Sequence, residues 1–443
     1  MKQKIKNKKR TLRCSFLDGI FASLMGGFVQ DYFTPFLLAI GGTVGQVGLL
    51  GAAPNLFASI IQLKSPGLVE KFRARKPIMD LFVPLQAVSL LLMAALAIFS
   101  HSGPAPFMIA VVLFTAFGAL VTPAWSSMMS EIVDKDKWGE YFGWRNQALG
   151  IITIIAALSA SMILHFAKVI GPGKEAGLFT GFAVIFGAAF IFRIFSWRFL
   201  RCMEEPRLKQ GHSGGTVLKG LFPGRGASNF TRYVFFVGAF NLSVNLAGPF
   251  FPVLMLKDLH FSYPTYIAIN SAQALAIYIT MRRWGRHADR IGNMKIIRAT
   301  SRLAVFVPVL WLVSRNPIYL IFAQVFSGFV WAGFNLSTSN FVYDASSPGE
   351  RTRSVSQLNA VGGMGLCIGA LAGGLLIPVL PPIFGQKILT LFLVSSAARL
   401  AVAFFIPFRI REVRRVENIS SVALISSMAG ITSAYSRRQP DLL

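Results

Sequence analysis

Long apolar runs separated by short charged connections dominate the chain, and within each run the hydrophobic positions are continuous rather than alternating. Twelve runs stand out, at residues 14–40, 46–63, 77–100, 104–129, 145–166, 177–200, 233–256, 263–281, 296–313, 317–341, 356–380 and 388–408. About 20 apolar residues in a helix cross a hydrocarbon layer of about 30 Å, so each run predicts one transmembrane helix. Leu, Phe and Ala fill the runs without a period of two, which argues against a β-barrel. The pattern predicts an all-α integral membrane protein. A basic stretch precedes the first run as it would in a secretory leader, but the run holds Asp18, reaches residue 40 and has no small-residue cleavage site. It is expected to remain as the first span.

Composition agrees with this reading. Hydrophobic residues make up 54% of the chain and charged residues 14%, with a mean hydropathy of +0.57, whereas soluble domains carry about a quarter charged residues. The net charge of +26 would suggest a nucleic-acid partner in a soluble protein. Here its placement excludes that partner and reads as topology instead. Lys2, Lys4, Lys6, Lys8, Lys9, Arg10 and Arg13 precede the first run, and Lys71, Arg73, Arg75 and Lys76 follow the second. Arg282, Arg283, Arg286, Arg290, Lys295 and Arg298 follow the eighth, and Arg409, Arg411, Arg414 and Arg415 follow the twelfth. The alternate connections hold only Lys168, Lys174, Lys257, Arg315 and Lys387. Both termini are therefore expected in the cytoplasm of a bacterial-type plasma membrane.

The chain also repeats. Glu131 follows the fourth run with Asn146 fifteen positions later, and Asp344 follows the tenth with Asn359 fifteen positions later, a common offset of 213. A Gly- and Pro-rich stretch at 201–229 reads as a linker. The expected organisation is a basic tail (1–13), a six-helix bundle (14–200), the linker (201–229), a second six-helix bundle (230–408) and a tail (409–443). Between runs eight and nine lies Gly285-Arg-His-Ala-Asp-Arg-Ile-Gly-Asn-Met-Lys295, whose glycines could turn the backbone and whose Asp289 and Arg290 could bond helix ends. Glu70 and Lys71, after run two, align with Asp289 and Arg290, although Pro66 replaces the first glycine.

Twelve spans, the six-plus-six repeat and the Gly285, Asp289, Arg290, Gly292 pattern give the chain, over residues 12 to 410, a clear resemblance to major facilitator superfamily transporters. The resemblance implies two pseudo-symmetric bundles and alternating access, with the first, fourth, seventh and tenth helices lining a cavity. It also implies a cytoplasmic gate at Gly285, Asp289, Arg290, Gly292, Glu70 and Lys71. Asp289 would then meet the start of run eleven near residues 353–357, and Glu70 the start of run five. Run five lacks the Gly-Pro signature of the family's proton-driven drug exporters, which makes a multidrug antiporter the lesser alternative.

Polar groups inside the runs supply the candidate chemistry, because an ionised side chain at a helix centre costs at least about 2.5 kcal/mol. Asp31, beside Gln30 and four residues before Pro35, is the candidate proton or cation site. Asp18 and Asp80 are expected to reach water, and Lys64, Arg145, Arg232 and Arg302 to snorkel, whereas Arg193 and Arg399 lie deeper and suit structural bonds. Asn241, Asn245, Gln273, Gln324 and Asn335 are candidate substrate-binding amides, and Trp125 and Trp331 could stack on a flat ligand. Gly365, Gly369 and Gly373 form a packing stripe in run eleven.

The five histidines form no metal-ligand spacing, no phosphate-binding glycine loop is present, and the three cysteines sit where a disulfide is not expected. The chain is read as a non-enzymatic, cofactor-free monomer that moves a small solute through the bilayer, coupled to protons. A transporter-like receptor or assembly partner without turnover is the alternative.

Overall fold

A computed structural model describes residues 2–62, 72, 74–99, 103–133, 138–171, 173–205, 228–346, 351–405, 407 and 410–413. Among the described residues the regular elements are helical. The first span is Lys2–Val29, continued by a 3-10 turn at Gln30–Tyr32 and by Phe33–Ala39. Val44–Gln62, Lys76–Ile98, Pro104–Ile132, Trp138–Ile170 and Lys174–Arg201 are spans two to six. The seventh is Asn229–Asn245, continued irregularly to Asp258, and the eighth is Tyr263–Ile291. Asn293–Leu303 with Phe306–Val313 is the ninth, followed by Pro317–Ala345, Arg351–Leu376 and Lys387–Phe405. Ten of these stretches are long and apolar enough to cross a membrane. In the second span the apolar stretch, Val44–Ala58, is shorter, and the eighth carries Arg282, Arg283, Arg286 and Arg290 in its last turns.

Two expectations change. The first helix starts at Lys2 rather than at residue 14, because Lys and Arg are good helix formers and the basic turns need no lipid. Asp18 thus lies well inside the helix and is only 5% exposed, instead of reaching water. Residues 285–291, expected as a turn, are the end of the eighth helix. The connection narrows to Gly292, whose φ of +89° suits glycine.

Three spans break, and each break is served by a neighbour. Pro35 has no amide proton, so the carbonyl of Asp31 loses the donor four residues on. Tyr266 Oη of the eighth span donates to that carbonyl at 3.0 Å. Pro308 removes the donor for Ala304 in the same way, and Arg399 Nη1, from the twelfth span, donates to the Ala304 carbonyl at 2.9 Å. Ser396 Oγ serves the next carbonyl, Val305, at 2.9 Å. In the seventh span the helix ends at Asn245, and Ser395 Oγ donates to the Ser243 carbonyl at 2.6 Å.

By packing, the chain forms two compact units, one of Met1–Gly215, Val244–Ser271 and Gly363–Leu391, the other of Thr216–Ser243, Ala272–Gly362 and Phe392–Leu443. The first unit therefore contains all of the first sequence half together with parts of spans seven, eight, eleven and twelve. Phe36 anchors its core against Phe107, Phe182 and Phe186, with ring centroids 4.7, 4.9 and 5.4 Å away. In the second unit Trp284 is fully buried, donating from Nε1 to the Phe329 carbonyl at 2.8 Å.

Inside the first unit the second and eleventh spans meet along small residues. Ala52, Cys367 and Ala370 form a buried cluster, and a methyl group on Gly48 would lie 2.7 Å from the Ala370 carbonyl oxygen. Only a glycine allows that approach. Gly48→Leu should hold the two spans apart. In a background lacking Cys14 and Cys202, an Ala52→Cys side chain should cross-link to the native Cys367 on mild oxidation, and Gly48→Leu should reduce the yield severalfold. Equal yields would show that this contact does not set the seam.

Candidate functional site

Both sequence halves use the same kind of helix cap. The third span begins where Arg75 N and Lys76 N donate to Glu205 Oε1 and Oε2, at 2.6 and 3.2 Å. Lys76 Nζ in turn donates to the carbonyls of Arg201 and Met203, at 2.7 and 3.0 Å, where the sixth span ends. An acid thus sits at one helix N-terminus and a cation at a neighbouring C-terminus, both favoured by the helix dipoles. In the second half Met294 N, at the start of the ninth span, donates to Glu412 Oε2 at 2.7 Å. Arg298 Nη2 donates to the Pro407 and Ile410 carbonyls at 3.1 and 2.6 Å, beyond the twelfth span.

The acids that the sequence repeat set in register complete each cap. Arg75, 3% exposed, pairs through Nη2 with Glu131 Oε1 at 2.5 Å, and Asn293 Nδ2 donates to Asp344 Oδ2 at 2.7 Å. Glu205 and Glu412 were missed because they follow spans six and twelve, in stretches read as linker and tail. Their signal was present as Glu-Glu-Pro at 204–206 and Arg-Glu-Val at 411–413, each just beyond the last span of its half.

The predicted gate residues divide. Gly292 makes the turn, and any side chain there would strike the Glu412 carboxylate. Gly285 lies within the helix, where an added methyl would meet Leu336 at an ordinary 3.6 Å, so no backbone demand accounts for it. Asp289 and Arg290 are exposed on the last turns of the eighth helix. Glu70, Lys71, Lys64 and Pro66 lie outside the described residues, as do the side chain of Arg353 and most of the linker.

A polar cluster forms where the first span breaks. Asp31 and Gln30 sit on the same 3-10 turn. The Asp31 side chain bonds that of Asn270, which also bonds Tyr266. Tyr266 closes the circuit through the Asp31 carbonyl, and the neighbouring Tyr32 is fully buried with its hydroxyl donating to the Ala157 carbonyl at 2.5 Å. A carboxylate, an amide and two phenols thus gather at one interruption. Asn270 and Tyr266 lie one helical turn apart on the eighth span, a pairing that shows only once that span is packed against the first.

The remaining candidates fall elsewhere. Asn245 ends the regular part of the seventh span, its Oδ1 beside Gly248. In the second unit Asn241 Nδ2 donates to the Gly362 carbonyl at 3.4 Å, and Gln273 Nε2 donates to Ser327 Oγ at 2.9 Å. Gln324 is buried and Asn335 exposed, while Trp331 packs on Phe240 and Phe334. Trp125 belongs to a different group, with the Arg145 guanidinium 4.5 Å over its ring. Arg145 does not snorkel. It is 7% exposed and donates from Nη2 to the Ser15 carbonyl at 3.1 Å, because Gly19 leaves room for it between spans one and five. Arg193 Nη1 donates to Ser196 Oγ at 2.9 Å, and that hydroxyl donates to Asp18 Oδ1 at 2.7 Å.

Comparisons with known proteins follow the same lines. The family model described as Major Facilitator Superfamily matches residues 233–381. No curated protein sequence matches the chain. Among solved structures, the chain is similar to the nucleoside transporter NupG, with a TM-score of 0.68 at 14% identity over 91% of this chain and 99% of that one. It is similar to FucP in the outward conformation, with a TM-score of 0.60 at 12% identity over 91% and 99%. A bacterial homolog of the human lysosomal transporter Spinster gives 0.58 at 13% identity over 91% and 95%. Identities of this size speak for the fold.

The caps make a direct prediction. Glu205→Gln and Glu412→Gln should each destabilise the protein by about 1 kcal/mol, the usual worth of a lost N-cap. The losses should add in the double variant because the two caps share no partner. Thermal unfolding of the purified protein in detergent measures this, and a double variant no worse than either single one would show that the caps act as one unit.

Proposed function

We propose that the chain is a major facilitator superfamily member, a secondary transporter moving a small solute across the membrane by alternating access; the family model over residues 233–381 and the shared fold support this. The observation that carries the proposal is the interruption of the first span at Gln30–Tyr32, together with that of the seventh at Gly248–Phe250. Broken spans place polar side chains such as Asp31 and Asn245 at membrane depth, where a soluble ligand needs hydrogen-bond partners. Placement of the basic residues supports cytoplasmic termini and a plasma-membrane location.

Asp31 is the proposed coupling group. Its carboxylate has the neutral Asn270 beside it, and its backbone carbonyl accepts from Tyr266, so a proton arriving at the carboxylate changes the charge of the cluster without opposing a fixed cation within it. Protonation also turns one oxygen from acceptor to donor, which alters what Asn270 can offer. Asp289 and Arg290 are proposed as the cytoplasmic gate, working beside the Glu412 cap.

Counterflow in proteoliposomes tests the reading. A labelled solute drawn from a broad panel of small polar compounds should exchange with the same solute trapped inside, whereas no exchange across the panel would favour a receptor without turnover. With the exchanging solute in hand, Asp31→Asn should keep counterflow but lose accumulation driven by a pH gradient. Undiminished proton-driven accumulation would remove Asp31 from coupling.

A further inference from the structure

We infer that the first sequence half holds a buried site for an oxyanion, the carboxylate or phosphate group of a small solute, centred on Arg145 and completed by Ser15, Trp125 and Tyr141. The four residues come from spans one, four and five and share unspent hydrogen-bonding capacity. Arg145 Nε, Ser15 Oγ, Trp125 Nε1 and Tyr141 Oη are all buried without a hydrogen-bond partner among the described residues. Ser15 is fully buried and Arg145 nine-tenths buried. Four orphaned polar atoms around one guanidinium are unusual in a folded protein, where nearly every such group is satisfied.

The geometry brings them together. Arg145 Nη2 reaches the Ser15 carbonyl at 3.1 Å, and the guanidinium carbon stands 4.5 Å from the centre of the Trp125 ring. Tyr141 precedes Arg145 by one helical turn on the same face. Gly19, one turn beyond Ser15 on the first span, leaves the space that the guanidinium occupies. The result gathers residues carrying a planar cation, an indole N–H and two hydroxyls around one guanidinium, a donor set that suits the two or three oxygens of an oxyanion better than a single halide.

Charge points the same way. Asp18, Arg145 and Arg193 are all at least nine-tenths buried in this bundle. The Asp18 carboxylate accepts from Ser196 Oγ, which itself accepts from Arg193 Nη1. The one acid is thereby committed to the sixth span, although its field also reaches Arg145. Within this local group two guanidinium groups stand against one carboxylate, and Arg145 is met by a neutral carbonyl and a ring face. A buried cation in that position gains most from an anion that arrives with its own charge. That this anion is the recognised part of the transported solute rests on the transporter reading. The site itself does not.

Binding to the purified full-length protein in detergent separates the two. Thermal unfolding is followed during titration with inorganic phosphate, acetate or succinate, at ionic strength held constant with chloride. At least one of these oxyanions should raise the Tm saturably in the wild type. Trp125→Phe and Tyr141→Phe, which remove only the N–H or the hydroxyl and keep a ring, should each raise the half-saturating concentration about tenfold, the worth of one hydrogen bond to a charged group. Arg145→Gln should abolish the shift, and if that variant does not fold, the two aromatic variants decide. No saturable shift with any oxyanion, or unchanged titrations in both aromatic variants, would overturn the site. The same Trp125-dependent shift produced by phosphatidylglycerol and by none of the soluble anions would overturn the solute assignment in favour of a lipid headgroup. Saturable binding without counterflow would leave the site standing and sink the transporter reading instead.

Discussion

A carbonyl group inside hydrocarbon has no water to turn to, and that constraint organises the interior of this protein. Three spans contain breaks that strip carbonyls of their helical donors, and in each case a side chain from a different span supplies the missing bond. The bonds are therefore tertiary contacts as well as local repairs. Tyr266 ties the eighth span to the first, Ser395 ties the twelfth to the seventh, and Arg399 ties the twelfth to the ninth. An unsatisfied backbone group in lipid costs several kcal/mol, so none of the three side chains is easily replaced. Arg399 shows the priority clearly: it is 1% exposed, and the bond that places it is to the carbonyl that Pro308 set free.

The same logic run outward explains the caps at the ends of the spans. There the groups to be satisfied are the first amides and last carbonyls of helices, and the chain meets them with charge. Glu205 and Lys76 in one half, and Glu412 and Arg298 in the other, place acid on helix starts and cation on helix ends. Because each cap joins the segment after the last span of a half to the third span of that half, it closes the bundle around its middle members. Gly292 follows from this arrangement, since the carboxylate that caps Met294 occupies the space where a side chain at 292 would lie.

Much of the fold could be read from the pattern, because a membrane span is a length constraint and apolar runs report length directly. The Glu131 and Asp344 register also proved meaningful, each acid reaching the start of the third span of its own half. The helix ends were less legible. Residues 285–291 look like a turn because they are charged and contain Gly285, yet charge there marks only where the helix leaves the bilayer, and a helix continues readily through Arg, His, Ala and Asp. Asp18 and Arg145 looked peripheral for a related reason: both stand near the ends of apolar runs, but the helices that carry them start earlier than the runs do. Hydropathy locates the lipid boundary, whereas burial is decided by which face of a helix meets its neighbours. Tyr266 and Asn270 could not have been singled out from the sequence, since their importance depends on the carbonyl that Pro35 frees one span away.

Buried charge in this chain is therefore of two kinds. Arg75 and Arg193 are held by groups that answer them, the Glu131 carboxylate in one case and a hydroxyl backed by Asp18 in the other. Asp31 and Arg145 are held by neutral partners, an amide for the acid, a carbonyl and an indole face for the base. A charge answered by fixed partners stabilises one packing, because the pair is broken only at the expense of leaving both members unsatisfied. A charge surrounded by neutral dipoles is instead open to exchange, and it can take up a proton or a counter-ion without first giving up an ion pair. On that physical ground the first kind suits the scaffold, and the second suits the proposed proton and oxyanion sites.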